Sequence, residues 1–182
     1  MFLSIQELET RKVDFSQQLA PGTIDLGKEL RQSEVLKTQG QAELLAEHRG
    51  GKDIVEDIRV VGDFSTQIEA RCARCVDPVP TSVGGSFDLL YRPLGADARK
   101  DESSISEAET EIGYYSGEGI ELNDVLREQI LLALPVKIVC REDCRGICAG
   151  CGRNLNTEAC TCGDSPSDPR WAALADLKDK LK

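Results

Sequence analysis

Eight cysteines constrain the fold of this chain more than any other feature of its sequence. Two of them form a CxxC pair at Cys72 and Cys75. The other six lie close together further along the chain, at Cys140, Cys144, Cys148, Cys151, Cys160 and Cys162. Eight thiolates divide into two sets of four, which is the number that two closed tetrahedral zinc sites require. The spacing therefore predicts two structural zinc ions.

Three other uses of the cysteines compete with zinc. Disulfides are disfavoured in the cytosol, which is the expected compartment because we find no signal peptide and no apolar run of membrane-spanning length. A thioredoxin-like pair would open a helix, whereas Asp77 and Pro78 follow Cys75. An iron–sulfur cluster also uses four thiolates, and the sequence leaves that alternative open.

The simplest division of the eight ligands follows their spacing along the chain. The last four cysteines form a local set, at Cys148, Cys151, Cys160 and Cys162. The pair Cys72 and Cys75 is then completed by Cys140 and Cys144. This second set would close a long loop, and a cross-link of that kind restricts the unfolded chain most.

Alternating residue patterns predict a β-sheet ahead of the cysteine-rich segment. From Ile54 to Cys72 most apolar residues occupy even positions and most charged residues occupy odd positions, as in a strand with one face on a core. From Val79 to Tyr91 most apolar residues occupy odd positions, at Val79, Val83, Phe87, Leu89 and Tyr91, which predicts a returning strand and a hairpin with the CxxC at its tip. We also expect a strand over 36–46, an edge strand over 112–115, and a short strand or helical turn within the first 30 residues.

Two helices are predicted. Asn123 is the expected N-cap of the first, Pro135 ends it, and its apolar stripe contains Leu122, Val125, Leu126, Ile130, Ala133 and Leu134. The second begins after Asp168 and carries Trp171, Leu174, Leu177 and Leu181. These elements predict an α+β protein. A curved antiparallel sheet or partial barrel, packed by helix 122–134, occupies residues 1–136, and a cysteine-rich zinc-binding segment with a terminal helix occupies 137–182.

Charge and the scarcity of catalytic side chains narrow the function. A net charge of −10 argues against nucleic-acid binding over the whole surface. Residues 97–121 hold eight acidic and two basic side chains, which is typical of a solvated loop or of a landing surface for a basic partner. His48 is the only histidine and is interpreted as a surface residue. With every cysteine assigned to metal and no nucleotide-binding or nucleophile-elbow motif, we expect no enzymatic activity, no catalytic residue and no small-molecule substrate.

Basic side chains are interleaved with the cysteines. They are Arg71, Arg74, Lys137, Arg141, Arg145 and Arg153. This arrangement predicts a local contact with RNA phosphates or a partner protein, and the alternative is that the charges only offset thiolates. Because aromatic residues are missing from this stretch, structured RNA or a ribosomal protein is favoured over unstacked bases.

Four segments in order resemble the YceD family, a bacterial family tied to the accumulation of large-subunit ribosomal RNA. They are RCARC, LREQILLALP, CREDCRGICAGCGRNLN followed by CTC, and DPRWAALADL. The resemblance covers the whole chain. It implies a non-enzymatic, cytoplasmic role in ribosome biogenesis, with large-subunit precursor rRNA or a large-subunit ribosomal protein as partner and no membrane contact. A thiol-redox or zinc-responsive regulator is the alternative from a different class.

Overall fold

The computed structural model describes residues 1–48, 54–96 and 112–162. In chain order, the described elements are β1 (Phe2–Ser4), α1 (Ile5–Thr10), β2 (Val13–Leu19), β3 (Arg31–Gln32), β4 (Leu36–His48), β5 (Ile54–Arg71), β6 (Pro78–Pro93), β7 (Ile112–Tyr115), β8 (Gly119–Glu121) and α2 (Leu122–Ala133). The chain divides into two compact units. The first contains Met1–Ala70 and Pro78–Lys137, and the second contains Arg71–Asp77 and the chain from Ile138 onward.

The first unit is built on an open sheet with the strand order β2-β4-β5-β6-β7, and β3 pairs with β5 off this path. β2 and β5 both run antiparallel to β4. β5 and β6 are neighbours joined by residues 72–77, a connection too short for a parallel crossover, so they form the predicted hairpin. β7 is the predicted edge strand, but it runs parallel to β6, with Leu90 opposite Ile112. The prediction of a wholly antiparallel sheet is therefore wrong at this strand.

The parity predicted for β5 is confirmed, with one exception. Its even positions from Ile58 to Ala70 that carry apolar side chains are buried. The exception is Asp57, an odd position that is also buried, against Arg92 of β6. Arg92 donates from Nε to Asp57 Oδ1 at 3.1 Å and from Nη2 to Oδ2 at 2.8 Å. A buried carboxylate is tolerated when it has such a partner, and period 2 in β5 alone does not reveal it.

Helix α2 agrees with its predicted apolar stripe in Leu122, Val125, Leu126 and Ile130, all of which are buried. Its N-cap is Glu121 and not Asn123, so that prediction is wrong by two residues, and Glu121 makes no side-chain capping bond. The residue before Pro135 is extended, with φ −69° and ψ 136°, because proline disfavours helical backbone in its predecessor. The helix therefore ends where the sequence places its end.

The N-terminal residues form both a strand and a helical turn. β1 pairs antiparallel with β8, the strand that leads into α2. Ser4 caps α1 by accepting a hydrogen bond from the Glu7 N–H at 3.3 Å. The core of the first unit then includes side chains from both sheets and both helices, among them Leu3, Leu8, Phe15, Ile58, Phe64, Leu122 and Leu126.

The division into units differs from the predicted boundary at residue 136. Residues 71–77 belong to the second unit because Cys72 and Cys75 gather there with Cys140 and Cys144. The predicted helix from Asp168, most of the acidic segment 97–121 and the side chain of His48 lie outside the described residues. Among the described helices, none is long and apolar enough to cross a membrane.

Candidate metal centres

The eight cysteine sulfurs gather into two groups, and both lie in the second unit. Cluster 1 contains Cys72, Cys75, Cys140 and Cys144, and cluster 2 contains Cys148, Cys151, Cys160 and Cys162. Within each cluster the four Sγ atoms lie within 4.8 Å of one another. All eight cysteines are free of disulfides. These are the two sets that the spacing predicts.

The sulfur separations fit one tetrahedral ion in each cluster. A Zn–S bond of about 2.3 Å places two ligand sulfurs about 3.8 Å apart at the corners of a tetrahedron. In cluster 1 the Sγ atoms of Cys72 and Cys144 are 3.9 Å apart, and those of Cys75 and Cys140 are 3.6 Å apart. In cluster 2, Cys160 Sγ lies 3.6 Å from that of Cys151 and 3.2 Å from that of Cys148. Both clusters could therefore hold a four-coordinate metal ion.

A tight turn brings the first pair of cysteines together. The Cys72 N–H donates to Asp77 O at 2.8 Å, and the Val76 N–H donates to Cys72 O at 2.9 Å. This closure places Val76 at φ +66°, in the left-handed region that β-branched residues rarely adopt. The turn that presents Cys72 and Cys75 therefore contains a strained residue.

Backbone hydrogen bonds hold this turn to the segment that follows α2. Ala73 donates its N–H to Ile138 O at 2.8 Å, and Ile147 donates its N–H to Arg74 O at 3.0 Å. Gly146, at φ +75°, permits this approach, since a Cβ there would lie 3.0 Å from Arg74 O. Residues that are distant in sequence thus complete cluster 1.

In each cluster, backbone N–H groups lower the pKa of one cysteine to about 6. The N–H groups of Cys75, Arg74 and Cys140 point at Cys72 Sγ from 3.4 to 3.5 Å. They lower the pKa of Cys72 to about 6 against the opposing effect of its burial, with Cys75 contributing most. In cluster 2, the Cys151 N–H, the Cys160 thiol and then the Gly150 N–H lower the pKa of Cys148 to about 6. The first cysteine of each CxxC is therefore prepared to bind a cation.

Hydrogen bonds from two asparagines stabilise cluster 1 and the segments that carry it. Asn156 Nδ2 donates to Cys144 Sγ at 3.4 Å, while its Oδ1 accepts the Arg145 N–H at 2.9 Å. Burial alone would raise the pKa of Cys144, but this bond and the Gly146 N–H hold it below its usual value. Asn154 bonds Asp77 Oδ2 at 2.8 Å and so joins the two segments of the unit. We predicted no role for either residue from the sequence, although both lie at the end of the segment CREDCRGICAGCGRNLN.

The two clusters differ in exposure. Cys72, Cys75 and Cys144 are buried, each with at most 5% of its surface exposed, and only Cys140 of cluster 1 reaches solvent freely. In cluster 2, Cys151 and Cys162 are exposed and the other two are half-buried. Reagents in solution therefore have easier access to cluster 2.

Five of the six basic residues predicted to contact RNA or a partner lie in the second unit, and Lys137 ends the first. Arg74 donates to Glu142 O at 2.8 Å and to Cys144 O at 3.0 Å, so its guanidinium stabilises the loop of cluster 1. Two further arginines form ion pairs with acidic side chains. Arg141 lies 3.3 Å from Asp143, and Arg153 lies 3.7 Å from Glu158.

The remaining two arginines of the second unit are less engaged. Arg71 approaches only Val76 O, at 3.5 Å. Arg145 uses its backbone N–H, and its exposed side chain has no partner among the described residues. Among the described arginines of the second unit, Arg71 and Arg145 therefore have the guanidinium groups that are least engaged in internal bonds.

A comparison with known families decides the relationship. The model of the family described as "Large ribosomal RNA subunit accumulation protein YceD" matches residues 60–178, a range that includes all eight cysteines. The chain belongs to the YceD family. The resemblance predicted from the four motifs is thus confirmed over residues 60–178, which include most of β5, all of β6 and α2, and both clusters.

Relatives of this YceD chain occur in bacteria and plants. An uncharacterized protein of Mycobacterium tuberculosis is 32% identical over 126 residues, which is 69% of this chain and 58% of the relative. The "Large ribosomal RNA subunit accumulation protein YCED homolog 1, chloroplastic" of Zea mays is 27% identical over 128 residues, 58% of this chain and 44% of the relative. The protein of that name from Arabidopsis thaliana is 23% identical over 146 residues, 69% and 46% respectively. The chain thus spans about half the length of these relatives, and no solved structure matches it.

Proposed function

We propose that this YceD-family chain is a non-enzymatic ribosome biogenesis factor of the cytoplasm. It supports the accumulation or maturation of large-subunit rRNA by binding precursor rRNA, a large-subunit ribosomal protein, or both. The name of the family and of its plant relatives supports the link to large-subunit rRNA. The observation that carries the non-enzymatic part is that every cysteine belongs to one of two all-sulfur clusters. A catalytic zinc instead keeps an open position beside a base.

Two zinc ions are the proposed cofactors. Thiolates are soft ligands that select zinc or iron–sulfur centres, and a polynuclear iron–sulfur centre spreads its thiolates over several iron atoms. Sulfurs 3.2 to 3.9 Å apart fit a single ion better. Elemental analysis after anaerobic purification should give two zinc ions per chain. Iron with acid-labile sulfide would contradict this assignment.

The proposed contact surface consists of the basic residues around the clusters, at Arg71, Arg74, Lys137, Arg141, Arg145 and Arg153. Arg71 and Arg145 are the first choices within it because their guanidinium groups are the least engaged in internal bonds. Such side chains bind RNA through phosphates, and their contribution weakens as salt rises. Structured RNA suits this surface, since it is recognised mostly by shape and backbone contacts.

The decisive experiment deletes the gene in its host and measures the ratio of large-subunit to small-subunit rRNA. We expect the ratio to fall and the wild-type gene to restore it. A double variant, Arg71→Ser/Arg145→Ser, should restore it poorly while keeping both metal ions. The matched control Lys28→Ser/Arg31→Ser removes two exposed charges from the first unit and should restore it fully. An unchanged rRNA ratio after deletion would contradict the proposed function. Full rescue by both variants would contradict the proposed contact surface.

A thiol-redox or zinc-responsive regulator remains the second candidate, and the exposure of Cys151 and Cys162 favours it. The burial of Cys72 and Cys75 makes that pair a poor redox couple. Peroxide treatment separates the two functions. A structural role predicts that both zinc ions are retained and that no disulfide forms, whereas a disulfide that forms reversibly at unchanged zinc content would support regulation.

A further inference from the structure

Half of the aromatic residues of the chain line one cavity in the first unit. The chain has eight aromatic residues, three of them tyrosines. Strands β1, β6, β7 and β8 and helix α2 surround a cavity of about 380 Å³. Its lining includes all three tyrosines and one phenylalanine: Phe2, Tyr91, Tyr114 and Tyr115. In a chain so poor in aromatics, this concentration points to a binding surface.

The cavity is also acidic. Three carboxylates line it, at Glu121, Asp124 and Glu128, and its eleven described lining residues include no lysine or arginine. Asp124 and Glu128 are four residues apart on α2 and so lie on one face of the helix. Neither has an ion-pair partner in the part of the chain that the structure describes. Glu121 Oε2 lies 3.6 Å from the amine of Met1.

Two of the four rings, those of Tyr115 and Tyr91, are held in place by contacts within the first unit, whereas Phe2 and Tyr114 are about half exposed. Tyr115 is buried, and its hydroxyl donates to Glu56 O at 2.8 Å. Tyr91 covers Gly113 on the neighbouring strand, where a Cβ would lie 2.7 Å from two ring carbons. Burial, and then the carboxylate of Glu128, raise the pKa of Tyr91 to about 12, so this ring stays neutral beside the charge. A partner would therefore find these two rings already ordered, which lowers the free-energy cost of binding.

Aromatic walls and a carboxylate face together select a cation with an apolar stem. Lysine and arginine side chains have this form: their methylenes pack on rings, and their charged ends reach carboxylates. A cation is attracted to the face of an aromatic ring, and the carboxylates would repel a phosphate in the same place. We propose that this cavity binds a Lys or Arg side chain from a basic segment of a protein partner.

This inference deepens the protein-binding half of the proposed function and rests on it for the origin of the basic segment. The two can nevertheless fail separately. The cavity uses no cysteine and none of the six basic residues assigned to the contact surface. Binding of a synthetic peptide to the purified chain does not depend on rRNA levels in a cell.

The tyrosines make the test specific to the cavity. Labelling with 3-fluorotyrosine places every ¹⁹F nucleus of the chain in its lining. The probe is a capped nonapeptide in which arginine and lysine alternate with glycine, at physiological salt. Its matched control replaces arginine with citrulline and lysine with acetyllysine. We expect saturable shifts with the basic peptide and none with the neutral one or with a structured RNA.

Variants then locate the binding. Asp124→Asn/Glu128→Gln should raise the Kd of the basic peptide at least tenfold. Glu9→Gln/Glu29→Gln removes two exposed charges outside the cavity and should change the Kd less than twofold. Gly113→Ala should weaken binding without changing charge, because its Cβ displaces the Tyr91 ring. Equal binding by the first two variants, equal binding of the neutral peptide, or shifts caused by RNA would each overturn the proposal.

Discussion

Clusters 1 and 2 each have a set of four cysteine ligands, but they differ in the sequence separation of those ligands and in their exposure to solvent. Cluster 1 joins Cys75 to a cysteine 65 residues later and is largely buried. Cluster 2 joins Cys151 to a cysteine nine residues later and is largely exposed. The same ligand chemistry can thus serve two purposes, since one ion would hold remote segments together and the other would fold a short segment.

The difference in loop length has an energetic consequence. Closing a flexible loop costs entropy in proportion to the logarithm of its length, so a bond across 65 residues restricts the unfolded chain by about 2 kcal/mol more than one across nine. Burial adds to this by excluding water and competing ligands from Cys72, Cys75 and Cys144. We therefore expect cluster 1 to matter more for stability and cluster 2 to exchange its metal faster.

The largest expected effect comes from removing one cluster at a time. Cys72→Ser/Cys144→Ser should lose one metal ion and the attachment of residues 71–77 to the segment that follows α2, since structural zinc contributes about 10 kcal/mol or more to small domains. Cys160→Ser/Cys162→Ser should lose one metal ion and keep cluster 1. Native mass spectrometry and thermal unfolding measure both quantities. Loss of both ions from the second variant would show that the clusters are not independent.

Next in size is the effect of the hydrogen bond from Asn156 to Cys144. Asn156→Ala should weaken metal binding at cluster 1 by about 10–100-fold, because partners of metal ligands tune affinity on that scale. Asn156→Asp keeps an oxygen for the Arg145 N–H but loses the donor to sulfur, so it separates the two contacts. Competition with a chromophoric chelator gives both affinities. Cluster 2 is the internal reference, and equal weakening there would refute the assignment.

The order of metal release should also distinguish the clusters. A thiol-modifying reagent should release the ion of cluster 2 about tenfold faster, because Cys151 and Cys162 are exposed. A colorimetric zinc indicator would follow two phases of equal amplitude. In the Cys160→Ser/Cys162→Ser variant, only the slow phase should remain. A single phase in the unaltered chain would contradict the expected difference between the two clusters in the rate of metal release.

The smallest expected effect concerns the strained turn of cluster 1. Asparagine tolerates the left-handed backbone that Val76 adopts, so Val76→Asn should stabilise the protein by about 1 kcal/mol. Val35→Asn, at another exposed valine, is the control and should bring no gain. Chemical denaturation measures the difference. If Val76→Asn is neutral or destabilising, the turn stores no strain that substitution can recover.

Patterns local in sequence predicted much of this structure. Period 2 placed β5 and β6, the apolar stripe placed α2, and ligand spacing divided the cysteines into the two groups that the sulfur positions show. Each of these signals depends on neighbours a few residues apart. The prediction was correspondingly strongest where local geometry determines the outcome.

Contacts between remote segments were the ones that the sequence did not reveal. The parallel pairing of β6 with β7, the β1–β8 sheet and the buried pair of Asp57 with Arg92 each join residues far apart in the chain. Periodicity identifies a buried face but not its partner, and it gives Asp57 the appearance of a surface residue. The supporting role of Asn156 was missed for the same reason, because it depends on where Cys144 comes to lie.

The split origin of cluster 1 sets a timetable for synthesis of the protein. A ribosome that adds about 5–20 residues per second needs about 3–13 s to travel from Cys75 to Cys140, 65 residues later. Throughout that interval the nascent chain carries two thiols of an incomplete site. They can be captured by a metal chaperone or by an oxidant before their partners exist. The cell's supply of zinc and its thiol-reducing capacity during those seconds should therefore limit the yield of folded protein.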